Sequence, residues 1–138
     1  MEDTANLTDK LITGLTKTVS ETVSDKNTAK TVGSGSLDVY ATPMMIARME
    51  EAAANLAEEN LPEGYTSVGI LMNVAHTAAT PCGMNIAATA VLTKVEGKKL
   101  TFEVKAEDEA GEIGSGVHER FIVESQRFQQ KADSKKSK

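Results

Sequence analysis

The spacing of apolar residues changes along the chain and separates one long helix from a series of strands. Between Thr42 and Asn60 the apolar residues recur at helical spacing, which is typical of a helix with one buried face. They are Met45, Ile46, Met49, Ala52, Ala53 and Leu56. Thr42 is a favourable N-cap residue, Pro43 suits the first turn, and Pro62 cannot continue a helix. We therefore predict a core helix over residues 42–60.

Beyond this helix the pattern indicates strands. Residues 67–75 form a nearly continuous apolar run, which is expected of a strand covered on both faces, and residues 85–95 predict a second long strand. Residues 100–106 alternate between apolar and polar, so this strand buries one face. The last strand covers residues 112–125, and weaker alternation predicts a first strand over residues 15–23. One face of the last strand carries Gly114, Gly116, His118, Arg120 and Ile122.

These elements predict an α+β fold in which one helix packs against one antiparallel sheet. Short turns at Glu96–Lys98 and Asp108–Gly111 join the later strands, and short connections place neighbouring strands antiparallel. One helix on one sheet is a two-layer architecture. Because such a sheet leaves an edge strand unpaired, we expect the chain to pair with a second copy of itself.

The two ends and one internal segment lack this patterning. Residues 1–13 are polar with weak periodicity, and residues 129–138 are charged and rich in Ser and Lys. We therefore expect a disordered N-terminus and a charged C-terminal tail around one domain at residues 14–128. A length of 138 residues fits one domain. Val32–Ser36 contains two glycines and two serines, which favours a mobile loop.

Composition and charge exclude some classes of function. The formal net charge is −5, from 20 acidic and 15 basic side chains, and five of the basic ones lie near the C-terminus. Most of the chain therefore repels a polyanion, and we expect no nucleic-acid partner. Neither a run of about 20 apolar residues nor a secretory signal is present, so we expect a cytoplasmic protein without membrane contact. The single cysteine, Cys82, suits a reducing compartment and is expected to be a small buried hydrophobe, with a reactive thiol as the alternative.

Two titratable residues lie at the margins of buried elements. Glu50 borders the apolar stripe of the predicted helix, where a carboxylate loses part of its hydration and can exchange a proton near neutrality. The alternative is a surface glutamate whose stem lies along the core edge. His76 follows the apolar run, and strict alternation puts it on the same face as Val68, Ile70, Met72 and Val74. An imidazole there can be a general base, or a structural histidine with its hydrogen bonds satisfied.

Three further candidates each have a structural alternative. Thr42 can orient a reacting group, although a threonine before proline at a helix start is usually a cap. Gly69 interrupts an apolar strand, which indicates either close approach of a ligand or packing against the alanines of the helix. Arg120 can bind a phosphate or carboxylate with two hydrogen bonds, or it can be solvated and paired with Glu119 or Glu112. The His and Cys residues have no metal-ligand spacing, so no metal site is predicted.

Two segments carry a resemblance to a known enzyme family. They are His-Thr-Ala-Ala-Thr-Pro at residues 76–81 and Glu-Ile-Gly-Ser-Gly-Val-His-Glu-Arg at residues 112–120. Both resemble the fluoroacetyl-CoA thioesterase family, and the similarity extends over about residues 40–128. The resemblance implies a hot-dog fold, in which an antiparallel sheet wraps a long helix. It also implies a homodimer with active sites at or near the subunit interface, and hydrolysis of an acyl-CoA thioester without a metal or organic cofactor.

The resemblance further implies a role for each candidate residue. Thr42, Glu50 and His76 fall on the family's catalytic threonine, glutamate and histidine. Gly69 and Arg120 fall on its substrate-contacting glycine and arginine. His76 would then be the general base or proton shuttle, and Glu50 the nucleophile or water-activating carboxylate. Thr42 would orient the acyl carbonyl or the attacking group.

One departure from the family concerns the substrate. The fluoroacetyl enzyme of the family carries phenylalanines in the lid before the helix, whereas residues 32–37 hold no aromatic ring here. We therefore expect a more open or more mobile entrance and hydrolysis of a short-chain acyl-CoA thioester that is not necessarily fluoroacetyl-CoA. Two alternatives stay open, namely a non-catalytic acyl-CoA-binding or regulatory hot-dog module and a related hot-dog enzyme such as a hydratase.

Overall fold

Five antiparallel strands and one long helix make up most of the chain in a computed structural model, which describes residues 7–137. The elements are β1 (Thr16–Thr22), α1 (Ala29–Val32), α2 (Thr42–Glu58), β2 (Tyr65–His76), β3 (Asn85–Glu96), β4 (Lys99–Asp108), β5 (Gly111–Glu124) and α3 (Ser125–Asp133), followed by a 3-10 turn at Ser134–Ser137. The strand order across the sheet is β1-β3-β4-β5-β2, and every neighbouring pair is antiparallel. The predicted α+β fold is confirmed.

The helix α2 packs on the sheet through its apolar stripe. Its buried residues are Met45, Met49, Ala52, Ala53, Leu56 and Ala57. On the sheet side the buried partners include Ala88, Ala90, Leu92, Phe102 and Val104. Alanines on both surfaces allow the helix and sheet backbones to approach closely. Each large apolar side chain buried in this layer contributes about 1.5–3 kcal/mol, so the layer carries much of the stability that holds the site in place.

The start of α2 differs from the prediction. Ala41 is the N-cap, no side chain caps the helix, and Thr42 is its first residue. The prediction that Thr42 is a helix cap is therefore wrong, and its hydroxyl is available for another contact. The helix ends at Glu58, slightly before the predicted Asn60.

The predicted domain boundaries also require revision. Leu7 and Leu11 are only 3% and 4% exposed and belong to the apolar core, so residues 7–13 are part of the domain. Residues 1–6 of the predicted N-terminal segment lie outside the described residues. At the other end, α3 continues past the predicted boundary at residue 128 and buries none of its side chains.

A bulge in β2 decides which of its side chains face α2. The register of β2 against β5 shifts between Gly69 and Leu71, and the extra residue interrupts the alternation of faces. A Cβ atom at position 69, before the bulge, would face α2, and the side chain of His76, after the bulge, faces α2 as well. The prediction that His76 shares a face with Val68 and Ile70 is therefore wrong, whereas its shared face with Met72 and Val74, which follow the bulge, is confirmed.

Two expectations drawn from composition can be compared with the structure. Cys82, expected to be buried, is exposed in the segment between β2 and β3. Over residues 7–137, no helix combines the length and the apolar character that crossing a bilayer requires.

Candidate active site

The first residue of α2 and the last residue of β2 form one half of the candidate site. Thr42 Oγ1 and His76 Nδ1 are 2.7 Å apart and share a hydrogen bond. The bond is available because Thr42 does not cap the helix. His76 Nε2 is buried and has no hydrogen-bond partner among residues 7–137. The imidazole is thus oriented through one ring nitrogen and leaves the other for a further partner.

The surroundings of His76 favour its neutral form. Burial lowers the pKa of His76 from its ordinary value of 6.5, and the nearby backbone of Ala78 opposes part of this shift. The ring is therefore uncharged at pH 7, with one nitrogen protonated and the other able to accept a proton. An imidazole in this state suits general-base catalysis.

A cavity of about 300 Å³ adjoins this pair. It lies between the segment that precedes α2 and the segment that follows β2. Its lining residues are Ala29, Ser34, Val39, Tyr40, Thr42, His76, Thr77, Ala78 and Ala79. Tyr40 is the one aromatic side chain in this lining, and its hydroxyl donates a hydrogen bond to Glu21. The wall contributed by residues 29–39 is therefore formed by small side chains.

Glu50 belongs to a second cluster, two turns farther along α2. Its Oε2 atom lies 3.9 Å from Arg120 Nη1. A Cβ atom at position 69 would come within 2.7 Å of the same oxygen, so a glycine there lets the carboxylate lie against β2. The Glu50 side chain is 46% exposed, which leaves the carboxylate accessible to a ligand.

Arg120 is buried, and β2 holds its guanidinium group. Nε donates to Ser67 Oγ at 2.7 Å, and Nη2 donates to the Ser67 carbonyl oxygen at 2.9 Å. The alternative of a solvated Arg120 paired with Glu119 or Glu112 is therefore wrong. Burial lowers the pKa of Arg120, while the charge of Glu50 opposes this shift, and the guanidinium stays protonated at neutral pH.

His118 completes this cluster and was not among the predicted site residues. It is 1% exposed, and its Nδ1 donates to the Leu71 carbonyl oxygen at 2.8 Å. Its Nε2 therefore accepts from Arg120 Nη1 at 3.2 Å. Burial lowers the pKa of His118, which keeps the ring neutral and able to accept. Its position between Gly116 and Arg120 on the inward face of the last predicted strand was a signal for this role.

The two clusters are separate within one chain. The helix rise between Thr42 and Glu50 is about 12 Å, and no hydrogen bond joins Glu50 to His76, both of which lie in the described part of the chain. The structure brings Thr42 to His76, and it brings Glu50 to Gly69 and Arg120. Both clusters lie on the α2 side of the sheet.

This arrangement, a long helix laid on one antiparallel sheet with a polar site at the helix start and the edge strand, defines a hot-dog protein. Comparisons with known proteins identify the group more closely. The chain belongs to the fluoroacetyl-CoA-specific thioesterase family, whose model matches residues 23–126. The predicted family and the predicted hot-dog fold are confirmed.

Individual relatives agree with this family. A fluoroacetyl-CoA thioesterase from Streptantibioticus cattleyicolor is 41% identical over 98 residues, which are 71% of this chain and 70% of that protein. A threonine-to-serine variant of the fluoroacetyl-CoA thioesterase, solved with acetyl-CoA, superposes with a TM-score of 0.84 at 34% identity over 90% of this chain and 98% of that one. A thioesterase superfamily member from Thermus thermophilus gives a TM-score of 0.84 at 26% identity, over 91% of this chain and 93% of its own.

Proposed function

We propose that this protein hydrolyses short-chain acyl-CoA thioesters to the free acid and CoA. The observation that carries the proposal is the hydrogen bond between Thr42 and a neutral His76 beside a cavity of about 300 Å³. The similarity to a fluoroacetyl-CoA thioesterase supports the reaction type. A non-catalytic acyl-CoA-binding module has no need of a histidine oriented through one nitrogen with its other nitrogen unpaired.

The proposed mechanism uses His76 as general base and proton shuttle, and Glu50 as the carboxylate that either activates water or attacks the thioester. In the direct route the Glu50 carboxylate orients the attacking water, His76 takes a proton from it, the water oxygen attacks the thioester carbonyl, and the carbon–sulfur bond breaks. The departing CoA thiolate then takes the proton back from the imidazolium. In the alternative route the Glu50 carboxylate attacks the thioester carbonyl, the carbon–sulfur bond breaks, and CoA leaves as the thiolate. His76 then takes a proton from water, whose oxygen attacks the acyl carbonyl of the resulting anhydride and releases the acid and the Glu50 carboxylate, and the imidazolium protonates the thiolate. Thr42 orients His76, and Gly69 leaves the space in which Glu50 lies.

We further propose that the working enzyme is a homodimer built through β2. This strand is one edge of the sheet, and its residues Ile70 and Leu71 are 51% and 44% exposed. The opposite edge, β1, has the mostly polar sequence Thr-Lys-Thr-Val-Ser-Glu-Thr. Polar edges resist pairing with another chain, whereas exposed apolar edges favour it. The contrast supports β2 as the edge that meets a second copy.

Pairing of two β2 strands would also unite the two clusters. An antiparallel pair with its twofold axis at residue 73, with Ile70 as the extra residue of the bulge, sets Gly69 opposite the partner subunit's His76. Glu50 lies against Gly69, so its carboxylate would approach that imidazole across the interface. Each site would then combine Glu50, Gly69 and Arg120 of one subunit with the threonine–histidine pair of the other.

Substitution of the two proposed catalytic residues tests the function. Glu50→Gln and His76→Ala are each expected to lower kcat/KM for acetyl-CoA and propionyl-CoA by about 10²–10⁴-fold, because each removes a group that takes part in proton transfer or attack. Thiol release measures the rate. Glu51→Gln is the matched control, since Glu51 pairs with Arg48 outside both clusters. Retention of activity within about tenfold of wild type by both variants would refute the assignment.

The proposed substrates are short acyl groups without a requirement for fluorine. From residues 29–39 the cavity is lined by Ala29, Ser34 and Val39, whose small side chains present no aromatic ring to the acyl group, and Tyr40 is the one aromatic residue of the lining. We expect kcat/KM for propionyl-CoA and butyryl-CoA to equal or exceed that for fluoroacetyl-CoA, with thiol release as the measurement. A preference of more than about a hundredfold for fluoroacetyl-CoA over acetyl-CoA, which is about 2.7 kcal/mol, would contradict this substrate class.

We also propose a cytoplasmic location. The exposed thiol of Cys82 supports it, because a reducing compartment keeps such a thiol free. Fractionation of cells that express the tagged chain tests this, and recovery from an oxidising compartment would count against it.

A further inference from the structure

The imidazole of His118 lies between the bulge of β2 and the guanidinium group of Arg120, and the proposed mechanism gives it no part. Its Nδ1 donates to the carbonyl oxygen of Leu71, which follows the bulge, at 2.8 Å. Its Nε2 lies 3.2 Å from Arg120 Nη1. The side chain is 1% exposed, and its ring centroid is 6.2 Å from that of Phe102 on the neighbouring strand. The ring is therefore fixed in one orientation, with both nitrogens in use.

Three groups of the second cluster converge on the space beside Gly69. A Cβ atom at this position would lie 2.7 Å from Glu50 Oε2, 3.2 Å from His118 Cε1 and 3.5 Å from Arg120 Nη1. The oppositely charged atoms, Glu50 Oε2 and Arg120 Nη1, are 3.9 Å apart, which is too far for a hydrogen bond. The carboxylate thus lies beside a cation to which it is not bonded.

The other neighbours of Arg120 account for this separation. Ser67 accepts from Nε at 2.7 Å and from Nη2 at 2.9 Å, which fixes one edge of the guanidinium group. His118 Nε2 accepts from Nη1, the nitrogen that lies nearest to Glu50. Because an arginine and a carboxylate that are free to move form a charge-assisted hydrogen bond of about 2.7–2.9 Å, His118 competes with Glu50 for Nη1.

We propose that His118 is a positioning residue that holds Arg120 back from Glu50, an inference that rests on the proposed function. Arg120 then attracts the carboxylate towards Gly69 without binding the oxygen that attacks the thioester or orients the water. A direct hydrogen bond from Nη1 would stabilise the charge on that oxygen and weaken it as a base or nucleophile. The second cluster therefore keeps a carboxylate close to a cation and still reactive.

The two nitrogens of His118 can be replaced separately. The amide of Asn lies near the position of Nδ1 and that of Gln near Nε2, so His118→Asn keeps a donor for Leu71 and His118→Gln keeps an acceptor for Arg120. We expect His118→Asn to lower kcat for propionyl-CoA about tenfold or more, with KM changed less than about threefold. His118→Gln should restore kcat to within about threefold of wild type, although it should unfold at a lower urea concentration than His118→Asn. If kcat instead falls in the same order as stability, His118 only supports the fold and the proposal is overturned.

Arg120→Met provides the control for these two variants. In this background there is no guanidinium group to hold back, so the kcat values of His118→Asn and His118→Gln should agree within about twofold. A tenfold difference that persists without Arg120 would contradict an action of His118 through the arginine.

Nitrogen NMR of the wild-type protein tests the same arrangement without substitution at His118 and without turnover. The chain has two histidines, so the spectrum of His76→Ala assigns the signals of His118. At pH 7 we expect a proton on Nδ1 of His118 and an unprotonated Nε2. A proton on Nε2 would overturn the proposal, whatever the activities of the variants. Failure of wild type to hydrolyse any acyl-CoA would refute the proposed function instead, and the NMR result would still decide whether His118 can accept from Arg120.

Discussion

At the scale of single residues, Thr42 and His76 meet because Ala41 takes the N-cap position of α2. A threonine at the N-cap accepts a hydrogen bond from a backbone N–H two or three residues later, which occupies its oxygen. Thr42 lies one position farther into the helix, so its hydroxyl makes no capping bond and reaches the imidazole of His76 instead. The difference of one position separates a structural threonine from one that orients the proposed base.

The burial of His76 predicts the pH dependence of hydrolysis. A general base must be neutral, and the pKa of His76 is lowered from 6.5, so protonation should inactivate it only at pH values below 6.5. We expect kcat/KM to be constant from about pH 7 to about pH 8 and to fall along an acidic limb below pH 6.5. Initial rates across this range measure it. A limb centred above neutrality would contradict a buried, neutral imidazole as the base.

Some site residues were predictable at this scale and others were not. Glu50 lies at the edge of an apolar stripe and His76 at the end of an apolar run, and both patterns are local in sequence. The burial of Arg120 could not be predicted, because the Ser67 atoms that bind it lie on another strand. Which residues meet across a sheet depends on register, which the sequence of one strand does not contain.

At the scale of elements, Gly69 on β2 and Gly116 on β5 are needed for different reasons. At Gly69 an added Cβ would meet the flexible end of Glu50 at 2.7 Å, so the carboxylate can move aside. At Gly116 it would come 2.1 Å from the backbone oxygen of Asn73, which cannot move without breaking the pairing of β2 with β5. The first glycine therefore serves the site, and the second serves the sheet.

Alanine substitutions at these two glycines should separate activity from stability. We expect Gly69→Ala to lower kcat/KM at least tenfold, while the free energy of unfolding changes by less than about 1 kcal/mol. Gly116→Ala should destabilise the fold by about 2–4 kcal/mol through backbone overlap. Thiol release and urea unfolding are the two measurements. A Gly69→Ala protein with full activity would show that the position of Glu50 against β2 is not needed.

Elements themselves follow from local patterns, but their irregularities do not. The apolar stripe of α2 and the alternation in β4 depend on neighbouring residues, and the predicted helix and strands are found close to their expected limits. The bulge after Gly69 arises from pairing with β5, so strict alternation placed Met72 and Val74 correctly beside His76 but was wrong for Val68 and Ile70. Leu7 and Leu11 were missed because two isolated leucines show no period.

At the scale of the whole molecule, the proposed shared site makes a prediction about mixed dimers. Glu50→Gln and His76→Ala proteins are each expected to be inactive, but a dimer with one subunit of each kind has one site with both residues intact. Unfolding the two together and refolding them should therefore recover about a quarter of wild-type activity, since about half of the dimers are mixed. If each site lay within one chain, no activity would return.

A second mixture serves as the control for this experiment. Thr42 and His76 belong to the same half of the site, so mixing Thr42→Val with His76→Ala leaves a defect in every site of every dimer. No recovery is expected there, although the proteins and the procedure are otherwise alike. Equal recovery in both mixtures would contradict the proposed division of residues between subunits.

The apolar edge of β2 has a consequence for the enzyme in a cell. A catalyst assembled from two identical halves is idle while its chains are single, and the paired fraction rises with the total amount of protein. The rate of thioester hydrolysis would then rise more steeply than the concentration of chains when synthesis begins, and it would fall more steeply than that concentration as chains are degraded. Through the exposed side chains of Ile70 and Leu71, thioester hydrolysis would thus require a minimum concentration of the protein.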